Sequence, residues 1–276
     1  MRSSSPDTPG LQTASTDPVR ALSFDANADG YDRFRPRYPE ALFADLALLT
    51  ELPEDARVLE IGCGSGIATL PMVGRCRSLT CLEPGAELAR IATHKLEKYS
   101  HCAVVESTFE DWPIERGRFD LVYSAQAFHW LDPTTRFESV ASALNPTGNL
   151  AIFGHASLGT DDALRSALDR AYQRHAPALA SSSPTSWYLP SGPIPDLFRE
   201  SRLFADVTIR SYSWSTRYPT EDYVALLRTH SDHAMLAETD RRDLLHAISK
   251  EIEDAGGEIE IPYQSSLFVA KRLVFP

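Results

Sequence analysis

The sequence predicts a doubly wound α/β fold, in which a parallel sheet carries helices on both faces. Two observations support this class: short β-rich runs alternate with helical stretches between residues 57 and 153, and no internal repeat divides the chain. With 276 residues and 43% hydrophobic side chains, the chain has enough apolar material to bury a core. We therefore expect one α/β domain with room for an insertion.

The first predicted element is a helix over residues 41–49, where apolar side chains recur at helical spacing from Leu42 to Leu49 and Pro53 follows as a stop. The strands and helices of the alternation come next along the chain. The predicted strands cover residues 57–61, 78–83, 103–106, 119–124 and 148–153, and the predicted helices cover residues 66–74, 85–98 and 133–144.

The chain after residue 154 breaks this rhythm. The elements predicted there are a helix at 161–175, a loop at 181–195, a strand at 207–218, helices at 220–230 and 238–255, and a proline-free strand at 263–273. We expect residues 23–154 to form the ligand-binding core and residues 155–276 to supply lid helices and closing strands of the same domain. Residues 1–22, rich in Ser, Thr and Pro, are expected to be a disordered tail.

Composition argues against several classes of function. The net charge is -11, and the sequence contains no block of Lys and Arg that could bind along a phosphate backbone. We therefore expect no nucleic-acid partner. No apolar run is long enough to span a bilayer, and the first ten residues lack the apolar core of a signal peptide, so we expect no membrane partner and a cytoplasmic location. The four cysteines form no CxxC pair, and we expect no metal site.

A glycine run follows the first predicted strand. In VLEIGCGSGIATL the strand ends at Ile61, and Gly62, Gly64 and Gly66 occupy alternate positions after it. Glycine lets the backbone turn tightly and approach a ligand, and the N–H groups at the start of a following helix can bind that ligand. We expect a polar ligand at this loop.

Two acidic residues narrow the identity of this ligand. A dinucleotide site reads GxGxxG, and Ile67 stands where the third glycine would be. Glu60 instead lies two residues before the glycine run, and Glu83 ends the next strand. A carboxylate at that strand end can accept hydrogen bonds from both hydroxyls of a ribose, and two acids suit a positively charged ligand.

These features, the pattern E-x-G-x-G-x-G followed by Glu83-Pro84, resemble the class I S-adenosylmethionine-dependent methyltransferases. Within them the chain is similar to the small-molecule branch that includes trans-aconitate methyltransferase-like proteins. The resemblance covers residues 24–153 well and the final SLFVAKR more weakly. It implies a seven-stranded Rossmann-like sheet whose last strand is antiparallel.

The resemblance also implies roles for individual residues. The glycine loop would hold the methionine portion of S-adenosylmethionine, the second strand's end would bind the ribose, and the segment after the third strand would contact adenine. The cofactor residues implied in these regions are Glu60, Gly62, Cys63, Gly64, Gly66, Glu83, Pro84, Thr108 and Phe109. Thr108 departs from the family, which often has Asp there.

An aromatic and basic segment, FDANADGYDRFRPRYP, precedes the core. In the family this stretch packs over the cofactor, and a Tyr and an Arg reach its methionine end. We assign these roles to Tyr31 and Arg37, because an Arg fork matches a carboxylate. The alternative is that both residues only pack or pair on the surface.

The segment SAQAFHWLDP after the fourth strand falls at the carboxyl edge of the sheet, where ligands of such folds bind. Ser124 and Gln126 are candidate cofactor contacts. His129 is the candidate catalytic residue, as a general base; it could equally form the pocket wall or be a packed structural His. The Asn-Pro-Pro-aromatic motif of many nucleobase methyltransferases is absent.

The expected reaction is direct displacement of the sulfonium methyl group by a small-molecule acceptor, leaving S-adenosylhomocysteine. The acceptor residues predicted from the rim and the lid are Trp130, His155, Trp187 and Tyr223, with Tyr172, Tyr188, His230 and His233 as further polar or aromatic residues there. Two rival functions are a non-catalytic S-adenosylmethionine-binding regulator and a nicotinamide-dependent oxidoreductase. The chain is expected to be a monomer or a homodimer.

Overall fold

The computed structural model describes residues 24–180 and 187–274. Its strands are β1 (Arg57–Ile61), β2 (Ser78–Glu83), β3 (Cys102–Glu106), β4 (Phe119–Ala125), β5 (Leu144–Ser157), β6 (Thr208–Pro219) and β7 (Glu258–Lys271). Its helices are α1 (Ala28–Phe34), α2 (Glu40–Leu49), α3 (Ala86–Leu96), α4 (Arg136–Ala143), α5 (Asp162–His175), α6 (Pro177–Ala180), α7 (Ile194–Ser201), α8 (Thr220–Leu227), α9 (Ser231–Ala234) and α10 (Glu238–Asp254).

The seven strands form one sheet in the order β3-β2-β1-β4-β5-β7-β6. β1 to β5 pair in parallel, and β7 runs antiparallel to both β5 and β6. The carboxyl ends of the five parallel strands therefore lie at one edge of the sheet. The predicted α/β class is confirmed, and so is the antiparallel last strand.

Apolar side chains cover both faces of this sheet, as expected for buried parallel strands. Successive residues of β1 point to opposite faces, so that Val58 packs in one buried cluster while Leu59 and Ile61 pack in the other. A third buried cluster joins α5, α8 and α10 to the start of β7. This third cluster packs α5, α8 and α10 of the predicted lid together, whereas α7 packs in the cluster of Leu59 and Ile61.

The helix predicted over residues 66–74 is wrong. The structure has turns there and a 3₁₀ helix of three residues, Leu70–Met72. Gly66 has φ +86°, which a right-handed helix does not allow, and Pro71 has no N–H to donate to the carbonyl of residue 67. Periodicity alone did not reveal these two backbone constraints.

The other predicted elements are present with shifted ends, and four α-helices of the described residues were not predicted. β5 begins four residues before the predicted strand, and β7 begins at Glu258 where residue 263 was predicted. Helices α1, α6, α7 and α9 lie in segments that the sequence did not mark as helical. The tail prediction for residues 1–22 lies outside the described residues, as does the part of the predicted loop at 181–186.

Among the described residues, no helix combines the length and the hydrophobicity required to cross a membrane.

Candidate active site

The glycine loop leaves β1 in a conformation that favours glycine. Gly62, Gly64 and Gly66 have φ values of +71°, +56° and +86°. A Cβ atom on Gly62 would lie 2.4 Å from the Cβ of Ala127, a separation that real Cβ atoms do not tolerate. The loop therefore runs against the residues that follow β4, and its backbone is open to close approach only while these positions remain glycine.

Glu83 joins the glycine loop to the end of β2. One carboxylate oxygen accepts a hydrogen bond from the Gly64 N–H at 2.8 Å, and the other accepts from the Gly85 N–H at 2.9 Å. The side chain is buried, and burial raises its pKa to about 7 although the two N–H donors lower it; the nearby Asp25 carboxylate raises it further. The site thus holds a carboxylate that hydrogen-bond donors from a ligand would favour in the ionised form.

Glu60 lies fully buried behind the loop. Its carboxylate accepts hydrogen bonds from the Thr69 hydroxyl at 2.6 Å and the Tyr123 hydroxyl at 2.8 Å. Burial raises its pKa to about 7, partly offset by these hydrogen bonds. The contacts of Glu60 in the structure tie the loop to β4, and its predicted contact with the cofactor stays a prediction.

Residues 24–37, which we call the strap, cross the glycine loop. The Tyr31 ring lies 3.5 Å from the position of a Cβ on Gly64, so it covers the loop, and its contact with the cofactor stays a prediction. Asp32 accepts a hydrogen bond from the Ser65 hydroxyl at 2.8 Å and pairs with Lys95 of α3. Asp25 accepts from the backbone N–H groups of residues 87 and 88 and so caps α3. These contacts fix the strap on both sides of the loop.

The two arginines of the strap have different surroundings. Arg37 lies at the surface, with its side chain 53% exposed, and pairs with Asp32. Arg35 points inward: its guanidinium lies 5.0 Å over the Tyr31 ring and donates to the Thr229 carbonyl at 2.7 Å. Its Nε is buried and makes no hydrogen bond with any described residue. Sequence reasoning missed Arg35, because the sequence did not mark α1 as a helix and gave no direction to the side chains of the strap.

The predicted adenine segment follows β3 and lies beside Glu83. The Ser107 N–H donates to the Glu83 carbonyl at 3.2 Å, while the Thr108 hydroxyl bonds to Asp111. Phe109 is buried in the hydrophobic core, and Pro84 is half-buried at the end of β2. Their contacts with the cofactor stay a prediction.

Residues after β4 complete the edge. The Ser124 hydroxyl is buried and donates to the Ile61 carbonyl at 3.0 Å. Gln126 has φ +57°, a strained conformation for a residue with a side chain, and its amide donates to the His155 carbonyl at 3.2 Å. Cys63 is buried in the glycine loop. The segment after β4, residues 124–130, which we call the rim, is thus hydrogen-bonded to β1 through Ser124 and to β5 through Gln126.

His129 lies in an aromatic setting at this rim. Its Nδ1 is hydrogen-bonded to the Tyr188 hydroxyl at 2.9 Å, and its ring is 4.7 Å from Trp130 and 5.8 Å from Trp187, centre to centre. The Trp130 ring in turn contacts Phe24 of the strap. The structure therefore brings the predicted catalytic residue together with two of the four predicted acceptor residues.

The other two predicted acceptor residues are His155, near the end of β5, and Tyr223, in helix α8 of the predicted lid. The His155 ring packs 5.3 Å from Tyr38 and 5.4 Å from Tyr263; burial, with the Arg35 charge, lowers its pKa to about 3. Tyr223 packs against the third cluster, and burial raises its pKa to about 12. The structure gives them a common aromatic surrounding, separate from the one around His129.

The comparisons with known proteins agree with this geometry. Residues 59–152 match the family model described as a methyltransferase domain. That stretch runs from β1 into β5 and includes the glycine loop, Glu83 and His129. It therefore contains the residues that the sequence assigned to the cofactor, apart from those of the strap.

Two relatives are about one third identical to the chain. An uncharacterised methyltransferase of Mycobacterium tuberculosis is 32% identical over 133 residues, which are 48% of this chain and 51% of that protein. A malonyl-acyl-carrier protein O-methyltransferase of Geobacter sulfurreducens is 31% identical over 136 residues, 49% of each chain. The chain spans about half the length of these relatives.

Solved structures show the fold over a longer stretch. A protein described as a type II methyltransferase from Anaeromyxobacter dehalogenans has a TM-score of 0.61 at 22% identity, covering 88% of this chain and all of that one. A phosphoethanolamine N-methyltransferase of Haemonchus contortus, in complex with S-adenosylmethionine, has a TM-score of 0.53 at 14% identity, covering 91% of this chain and 57% of that one.

Together these findings show that residues 59–152 match a methyltransferase domain and that the chain shares the Rossmann-like fold of the solved structures. They support the predicted enzyme class and S-adenosylmethionine as its cofactor. The trans-aconitate methyltransferase-like branch stays a prediction.

Proposed function

We propose that this chain transfers the methyl group of S-adenosylmethionine to a small-molecule acceptor by direct displacement. The observation that carries the proposal is the placement of the Glu83 carboxylate, held at 2.8 Å and 2.9 Å by the glycine loop and by the turn after β2. A buried acid at this strand end, beside a loop of glycines at positive φ, suits a ribose.

The remaining residues fit the other parts of this cofactor. Glycines without side chains leave the loop backbone free for the methionine portion. The unpartnered Nε of Arg35 suits a carboxylate, and Tyr31 and the strap cover the loop. Two buried acids, Glu60 and Glu83, favour a ligand with positive charge. When bound, the cofactor supplies an electrophilic methyl group on its sulfonium sulfur.

The residues of this chain act mainly by positioning. An in-line displacement is accelerated when the reacting groups are held close and aligned. Phe24, Tyr31 and Trp130 form a continuous aromatic cover beside the loop, which would exclude water from the reacting centre. His129 is held by Tyr188 at the same rim, where it would orient the acceptor or remove its proton.

The rival functions make different demands. A regulator that binds the cofactor without catalysis needs the same loop but no acceptor access. A nicotinamide enzyme needs a dinucleotide fingerprint, and Ile67 breaks it. No described residue or contact favours either rival over methyl transfer.

The testing experiment measures S-adenosylhomocysteine release with a panel of small hydroxyl, carboxyl, amine and thiol acceptors. We expect release that depends on one acceptor class and that falls in the Glu83→Ala variant. Tight binding of S-adenosylmethionine without release for any acceptor would favour the regulatory protein and contradict the proposal.

A further inference from the structure

Arg136, the first residue of α4, is the most deeply buried Lys or Arg of residues 24–180 and 187–274, with 5% of its surface exposed. Basic side chains are almost never buried to this extent unless an anion pairs with them. The proposed mechanism does not use this guanidinium, so its burial calls for a separate physical explanation.

The Arg136 guanidinium makes no hydrogen bond and no ion pair with any described residue. It carries five N–H donors, and its buried Nε has no acceptor. Asp132 lies one turn earlier, but its Oδ1 accepts from the Thr134 N–H at 2.8 Å and the Thr134 hydroxyl at 2.7 Å. The carboxylate that stands nearest in the chain is therefore engaged elsewhere.

Three aromatic rings surround the guanidinium. Its central carbon lies 5.4 Å from the ring centre of Phe128, 5.7 Å from that of Phe137 and 5.3 Å from that of Trp187. Aromatic faces attract the cation and stack on its plane, but they offer no oxygen to the N–H groups at its edge. The rings thus hold the guanidinium in place and leave its donors for an oxyanion.

The surroundings of Arg136 disfavour its positive charge. Burial lowers the pKa of Arg136, and the interactions with Tyr188 and Asp132 oppose this shift only in part. An arginine nevertheless stays protonated in a protein. The chain therefore keeps a cation in a setting where a bound anion would stabilise it.

Arg136 lies beside the rim. Phe128 is a rim residue, and the Trp187 ring that contacts the guanidinium is 5.8 Å from the His129 ring, centre to centre. Trp187 is half-buried and belongs to a turn, so its side chain can move without breaking a helix or a strand. A ligand would reach the guanidinium past this side chain.

We propose that Arg136 binds an oxyanion, the carboxylate or phosphate group of a small molecule that lies beside the rim. Two oxygens of such a group match the guanidinium fork and accept paired N–H···O bonds from it. The anion would supply the acceptors that the three rings lack, and it would neutralise the buried charge. This inference goes beyond the proposed function, because it requires anion binding and not methyl transfer.

A purely structural role for Arg136 predicts the opposite effect on stability. If the ring contacts alone justified the guanidinium, Arg136→Met would remove a favourable interaction and lower the unfolding free energy. A guanidinium that serves a ligand is unsatisfied in the free protein. Replacing such a buried, unpaired charge with an apolar side chain of similar length is expected to be neutral or stabilising.

The test uses the full-length protein in a zwitterionic buffer, with sodium chloride holding the ionic strength constant. Inorganic phosphate and acetate are titrated separately by calorimetry, and tryptophan fluorescence is recorded because Trp187 covers the guanidinium. The variants are Arg136→Met and Arg136→Lys. Arg116→Met is the matched control, since it removes the same charge from an exposed position. Urea unfolding is measured for each protein without phosphate or acetate.

We expect saturable binding of phosphate, of acetate or of both to the parent and to Arg116→Met, and the anion that binds identifies the group. Arg136→Lys should bind it about tenfold more weakly, because it loses one hydrogen bond of the pair to a charged group. Arg136→Met should show no saturable binding and should unfold at a urea concentration no lower than the parent does.

Absence of saturable binding to the parent would overturn the oxyanion site, and so would equal binding to Arg136→Met. An Arg136→Met variant that fails to fold, or that unfolds at a clearly lower urea concentration than the parent, would assign the guanidinium a structural role and overturn the site as well.

Discussion

Glu83→Gln tests the cofactor site with the least change in shape. The carboxylate accepts one hydrogen bond from the Gly64 N–H and one from the Gly85 N–H, and its side chain is 7% exposed. Glutamine has the same length but only one acceptor oxygen. The variant therefore leaves one of these backbone N–H groups facing an amide donor, and it removes the charge that would bind the ribose.

Both losses have a magnitude. A hydrogen bond to a charged group contributes about 1.5–3 kcal/mol, which corresponds to a roughly 10- to 150-fold weaker Kd for S-adenosylmethionine. A buried N–H without a partner costs about 1–3 kcal/mol of unfolding free energy. We expect both effects in the same variant, because the same two oxygens serve the loop and the ligand.

Calorimetric titration with S-adenosylmethionine and urea unfolding measure the two effects separately. Glu106→Gln is the matched control, since Glu106 is the register partner of Glu83 on the neighbouring strand and is exposed. The control should leave both quantities unchanged. An unchanged Kd in Glu83→Gln, in a protein that still folds, would refute the ribose role.

Three further predictions concern the same region. Burial raises the Glu83 pKa to about 7, and hydrogen-bond donors of the ribose favour its ionised form. The affinity for the cofactor should therefore rise from about pH 6 to about pH 8, with proton release on binding. A calorimetric affinity that does not change with pH would contradict this. Gly62→Ala should lower the unfolding free energy by more than Gly117→Ala does. Gly117 has a φ of +66°, so both variants carry a backbone cost of about 1–2 kcal/mol, but a Cβ on Gly117 would meet open space whereas one on Gly62 would clash with Ala127. Equal losses in urea unfolding would contradict this clash. Arg35→Met should weaken S-adenosylmethionine binding about tenfold or more and Arg37→Met should not, as measured by calorimetry; the reverse order would restore the sequence assignment.

Local patterns were sufficient to predict much of the fold. The alternation of strands and helices predicted every parallel strand, because each element shows its own periodicity within a few residues. The glycine loop and Glu83 were predicted for a related reason: both follow strand ends, and the carboxyl ends of parallel strands meet at one edge. The exception was residues 66–74, where Pro71 and the positive φ of Gly66 override helical periodicity.

Side-chain direction and non-local contacts were beyond the sequence. Arg35 and Arg37 are two residues apart with similar neighbours, and only the turn of α1 against the glycine loop decides which one points inward. The Tyr172 hydroxyl and His233 Nε2 are hydrogen-bonded at 2.8 Å, because the packing of the lid helices brings these two residues together. No spacing rule connects positions that far apart in the chain.

The central claim is that the glycine loop and Glu83 bind S-adenosylmethionine rather than a dinucleotide. Calorimetric titration of the full chain with S-adenosylmethionine and, separately, with NAD tests it most directly. We predict one bound S-adenosylmethionine per chain, weaker binding in Glu83→Gln and no binding of NAD. Binding of NAD without binding of S-adenosylmethionine would contradict the assignment of the site.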